Sequence, residues 1–84
     1  MKYEKRDLVK LIQRAVYEVR QIRVDSEKTN LLDTDLNICP ADFLYIFDLL
    51  EKELHVPAVN ILIGNSYRIM EIGNMSEALL ELLE

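Results

Sequence analysis

Between residues 4 and 23 the apolar side chains Leu8, Leu11, Ile12, Ala15, Val16, Val19 and Ile22 recur at intervals of three and four, with Lys10, Arg14 and Glu18 set between them. A helix, with its period of about 3.6 residues, gathers that pattern onto one stripe. A helix with one apolar stripe must lay it against another element. The chain of 84 residues has room for one core and not two, so the rest of residues 1–84 is expected to meet this stripe in a single domain.

After the stripe the periodicity stops. Residues 24–39 gather Asp, Thr, Asn and Ser, which reads as a long ordered loop that Leu31, Leu32, Leu36 and Ile38 can pin to the core. A loop of this length in so small a domain tends to carry function. Pro40 then suits the first turn of a second helix, where its fixed φ fits and its missing N–H costs nothing. Asp42 places a negative charge at the end the helix dipole favours. This helix is expected over residues 40–54, with Phe43, Ile46, Phe47, Leu50 and Leu54 on its core arc. Tyr45 and Leu49 project onto the opposite face, beside Asp42, Asp48 and Lys52.

The segment from residue 59 to 72 admits two readings. Its β-branched residues around Gly64-Asn65-Ser66 suit a short hairpin, and a broken short helix suits it nearly as well. Asn74 or Ser76 is expected to cap a last helix with Glu77 in its first turn and Ala78, Leu79, Leu82 and Leu83 on its buried side. The fold class is thus all-α, a small bundle of three or four helices.

Half of the residues are apolar and 30% are charged, the balance of an ordinary globular chain. No apolar run reaches the roughly 20 residues of a spanning helix. The charged start is not followed by an apolar signal core, so a cytoplasmic location is expected. Cys39 is alone and His55 is the single histidine, which excludes an internal disulfide and a zinc cluster. The formal charge of −5 is unevenly spread: residues 1–23 hold seven Lys/Arg against three Asp/Glu, and residues 24–84 hold three against twelve. The acidic part repels phosphates, and the basic part lies on one amphipathic helix without interleaved aromatics, so no nucleic acid is expected as a partner.

Residues 35–54, DLNICPADFLYIFDLLEKEL, resemble the acyl carrier protein family. In that family Asp-Leu-Gly-x-Asp-Ser-Leu opens the second helix and its serine carries a phosphopantetheine arm. Asp35-Leu36 matches the opening pair, and Leu50-Glu51-Lys52-Glu53-Leu54 is similar to the family's Leu-Glu-x-Glu-Phe. The likeness covers residues 4 to 57 and resumes at the last helix. Asn37 stands for the glycine, Cys39 for the aspartate, Pro40 for the serine and Ala41 for the leucine. Proline has no hydroxyl, so the phosphodiester cannot form there and no cofactor is implied. The chain resembles, in that respect, the acyl-carrier-related proteins of bacterial peptide maturation systems, which work as accessories without the serine.

The resemblance implies that partners, a peptide-modifying enzyme or its peptide, dock on the outer face of the second helix: Asp42, Tyr45, Asp48, Leu49 and Lys52. A tyrosine and a leucine rimmed by charge suit such a face. The alternative function is a covalent carrier holding cargo at Cys39, next to the vacant position at a helix N-terminus, or at an atypical serine among Ser26, Ser66 and Ser76. Turns and caps account for those serines, and a space-filling thiol accounts for Cys39. His55 lacks a nucleophile at useful spacing. Asp33 and Asp35 fall short of a calcium loop and read as turn formers. The basic face Lys5, Arg6, Lys10 and Arg14 offers a site for an acidic leader peptide, or a solvated surface paired with the chain's own acids. A regulatory or toxin–antitoxin partner is compatible with the small acidic domain. The leading expectation is a non-enzymatic docking protein.

Overall fold

The computed structural model describes residues 3–84; the first two residues of the charged start lie outside it. Three α-helices form among the described residues: α1 (Lys5–Arg20), α2 (Pro40–Leu54) and α3 (Ile72–Leu83). The apolar stripe of α1 packs against both of the others. Leu8, Ile12 and Val16 of α1 meet Ile46 and Leu50 of α2 and Ile72, Met75 and Leu79 of α3 in a core from which water is wholly excluded. Each such side chain contributes about 1.5–3 kcal/mol by leaving water. The all-α bundle expected from the periodicity is the fold observed.

Helix α1 starts where Glu4 donates its backbone N–H to the Asp7 carboxylate at 2.9 Å, which also sets a negative charge at the dipole's positive end. It stops at Arg20, three residues before the end expected at Arg23. Gln21 turns left-handed, with φ at 55°, and its N–H returns to the Tyr17 carbonyl at 2.7 Å. Ile22 and Val24 nevertheless reach the core from the loop. Helix α2 has the expected bounds. The Asp42 carboxylate accepts the Cys39 N–H at 3.0 Å, Pro40 occupies the first turn, and left-handed His55 closes the helix on the Glu51 carbonyl.

The loop over residues 24–39 is held by backbone bonds to the start of α3. Gly73 donates to the Glu27 carbonyl at 2.8 Å, Ile72 to Thr29 at 3.0 Å, and Leu31 to the Met70 carbonyl at 2.9 Å. The first N–H groups of a helix have no partner within it, and here loop carbonyls accept from two of them. That is why α3 begins at Ile72, before the expected caps. Asn74 sends its side chain to the Arg68 carbonyl at 2.9 Å, Glu77 lies beyond the first turn, and Ser76 is wholly buried with its Oγ donating to the Ile72 carbonyl at 2.8 Å. Leu31 is buried as expected, Leu36 and Ile38 are half-buried, and Leu32 is left 48% exposed. Because the Ser76 hydroxyl bonds within its own helix, Ser76→Ala is expected to change stability by less than about 1 kcal/mol. Ser76→Leu should cost about 1–3 kcal/mol by overpacking, both read from urea unfolding midpoints.

Of the two readings of residues 59–72, the broken helix is the one the chain adopts. Two 3-10 turns, Ala58–Leu62 and Tyr67–Met70, replace the hairpin, and among the described residues the one strand-like contact is an isolated bridge between Asn30 and Glu71. Polar side chains take the backbone groups a hairpin ladder would need: Asn65 Nδ2 donates to the Ile61 carbonyl at 2.6 Å, and the Ser66 hydroxyl accepts from the Arg68 N–H. Gly64, with φ at 75°, makes the turn between them.

Candidate functional site

The expected docking residues of α2 separate into two groups. Asp42 is consumed inside the molecule: it caps its own helix, lies 3.5 Å from Arg20 Nε, and keeps only 19% of its side chain exposed. The same arginine donates from Nη2 to the Asn37 carbonyl. Leu49 is half-buried and packed on the core rather than standing on the outer face. It occupies the flank turned to α1, between Asp42 and Glu53, whose carboxylates reach Arg20 and Arg14. Tyr45 stays 64% exposed, and Asp48 and Lys52 pair with each other in solvent at 3.0 Å across one turn. Such an exposed pair contributes about 0.3–0.5 kcal/mol.

The exposed apolar surface is wider than the sequence projection gave. Leu44, next to Tyr45, is 73% exposed, and Ile63 and Tyr67 on the turns are 75% and 67% exposed. Leu44 sits one turn after Pro40, beside the flank of α2 that Pro40, Phe43 and Phe47 present to those turns. Between the two elements lies a groove of about 430 Å³ lined by Leu32, Pro40, Phe43, Phe47, Leu62 and Tyr67, among others. Pro40, where the resembled family has its serine, is part of that lining. Leu44 was legible as an apolar residue off the core arc. The turn residues were not, because their positions depend on how residues 59–72 fold.

Other candidates come out plainly. Cys39 is exposed at the N-cap of α2, where its backbone N–H donates to the Asp42 carboxylate. His55 lies at the far end of α2, in a larger hollow of about 680 Å³ shared with Tyr3, Glu53, Leu80 and Glu84, which holds no serine or cysteine. Asp33 accepts the Asp35 N–H at 3.0 Å, as a turn former does. Among the described residues no three His, Cys, Asp or Glu side chains gather as metal ligands would, and no helix is long and apolar enough to cross a membrane.

The basic face of α1 is largely spent on the chain's own acids. Lys5 Nζ reaches Glu77 at 3.1 Å and Glu27 at 3.5 Å, Arg6 reaches Glu4 at 3.0 Å, and Arg14 reaches Glu53 at 3.6 Å. The hydrogen bond to Glu77 holds the Lys5 ammonium above the ordinary lysine range; desolvation opposes it, and the charges of Glu77 and Glu27 add to it. A lysine raised in the folded state stabilises it at all pH below the unfolded value, and that contribution is lost only as pH rises through the folded one. This tie therefore persists at neutral pH. No family model, curated protein or solved structure matches the chain.

Proposed function

We propose that this chain is a non-enzymatic docking protein that holds a partner against the groove between α2 and the 3-10 turns. The observation that carries this reading is the apolar groove itself, with Tyr67, 67% exposed, in its lining and Leu44 and Ile63, 73% and 75% exposed, on the two elements that flank it. Large apolar side chains grouped around an apolar groove mark interaction sites. Helix α2 is anchored on its other side by Ile46 and Leu50, so it presents a rigid platform. Holding a partner in place raises its effective concentration near whatever acts on it, with no chemistry on this chain.

The resemblance to acyl carrier proteins gives the partner its class: a modifying enzyme, or its peptide substrate, of a bacterial peptide maturation system in the cytoplasm. The order of helices, and a second helix that opens at the position of the family's serine, support it. Pro40 in that position rules out the phosphopantetheine ester.

Replacing Leu44, Ile63 and Tyr67 together by serine tests the docking reading. Each side chain stands in solvent, so each change is expected to cost no more than about 0.5 kcal/mol, while the native partner no longer co-purifies. A triple variant that keeps the partner would sink the proposal, and one that unfolds would assign these residues to the core. The exposure of Cys39 at a helix N-terminus favours one competing reading, covalent cargo on the thiol. Intact mass of the native protein, before and after neutral hydroxylamine, separates the two: docking alone leaves the unmodified mass in both.

A further inference from the structure

We propose that α1 carries a second docking face, distinct from the groove on α2, which takes an acidic peptide segment bearing apolar side chains. The face is centred on Tyr17, which is 44% exposed and carries the Arg23 guanidinium 5.7 Å above its ring. Gln13, Arg14, Tyr17, Arg23 and Val24 enclose a hollow of about 260 Å³ with Asp25, its one carboxylate. This lining shares no residue with the groove on α2.

The cations of the N-terminal segment fall into two classes. Lys5, Arg6 and Arg20 are matched by Glu27 and Glu77, by Glu4 and by Asp42. Lys10 and Arg23 have no ion-pair partner among the described residues, and Arg14 has one, Glu53, at 3.6 Å with both side chains more than half exposed. Lys10, Arg14 and Tyr17 are spaced as helix neighbours on one face. Of the four cations without an ion-pair partner among the described residues, Lys10, Arg23, Lys28 and Arg68, two lie with the loosely paired Arg14 at this face, on a protein whose net charge is −5.

Carboxylates of a partner complement that charge, and the face of Tyr17 with buried Val24 beneath it offers an apolar contact between them. Guanidinium groups bind carboxylates with paired, directed hydrogen bonds. A polyphosphate chain is the poorer fit: three cations are a small footprint, and the acidic remainder of the molecule repels a dense line of charge. Two separate docking faces make the chain a bridge between two partners.

The probe is a short fluorescein-labelled peptide of alternating glutamate and leucine, with its lysine–leucine counterpart and a labelled single-stranded DNA of similar length as comparisons, followed by fluorescence anisotropy. The glutamate peptide is expected to bind, more weakly as salt is raised. Lys10→Gln combined with Arg23→Gln should weaken it about tenfold, the loss of roughly one charge-assisted contact, with an unchanged circular dichroism spectrum. Lys5→Gln, which removes a cation already paired, should leave binding unchanged. So should the triple serine variant of the α2 groove, which keeps a failure of this proposal separate from a failure of the docking reading above. The proposal is overturned if the unaltered protein does not bind the glutamate peptide or the double variant binds it as well, if the lysine peptide binds equally, or if the DNA binds more tightly.

Discussion

Truncating Leu50 to alanine will remove about 3 kcal/mol of folding stability and lower the thermal midpoint by roughly 15 °C. Leu50 is fully buried at the middle of α2, in the core shared with α1 and α3. Its loss forfeits the transfer of its side chain from water and leaves a cavity that three crossing helices cannot all close at once. For a domain of this size the total stability is on the order of 4–12 kcal/mol, so the single truncation takes a large share. Urea unfolding measures it, and a loss below about 1 kcal/mol would mean that the core is packed more loosely than its burial indicates. Tyr45→Ala on the same helix, at an exposed site, is the control and should change stability by no more than about 0.5 kcal/mol.

Gly73→Leu is expected to be as damaging, for a different reason. Gly73 is buried, and a Cβ built there meets the Glu27 carbonyl oxygen and Oε1 at 3.4 Å and the Glu27 Cβ at 3.6 Å. The nearest neighbour is backbone, the same carbonyl that accepts the Gly73 N–H at 2.8 Å. A methyl group is just tolerated, so Gly73→Ala should come out near neutral: up to about 1 kcal/mol gained from helix propensity is offset by the tight contact. The rest of a leucine side chain has to push the loop away, and the loss is expected at about 3 kcal/mol from overpacking and broken backbone bonds. Hydrogen exchange distinguishes the mechanism, because the Ile72 and Gly73 amides should lose protection before those of α2. Uniform loss of protection across all three helices would refute a local effect.

What could be read from the sequence follows from where each signal resides. Helix α2 was legible to the residue because proline and an acid at its start and an apolar arc along it are all local. The end of α1 was not, since Ile22 and Val24 continue the apolar pattern into a loop that packs as the helix would have. The start of α3 had no local signal at all: its N–H groups are met by Glu27 and Thr29, far away in the chain, so neither Asn74 nor Ser76 was needed as a cap. In residues 59–72 the β-branched side chains suggested strands, and Asn65 and Ser66 decided the matter through bonds to their own backbone. The same distinction governs the site. Tyr45 is found where helical geometry puts it, whereas Leu49 is covered because α1 lies along its flank, a fact of helix packing that no projection of α2 alone contains.

The loop that feeds two carbonyls to the start of α3 also orders events in time. Helix α3 cannot have its first turn satisfied until residues 27 to 31 have come across to meet it, and that encounter closes a long stretch of chain containing all of α2. Helices α1 and α2 can form early from local contacts, but the last helix and the loop must arrive together, each incomplete without the other. Rupture in the reverse direction begins at the same seam. A protease that nicks the loop would therefore fray the first turn of α3 before its buried side chains let go of the core.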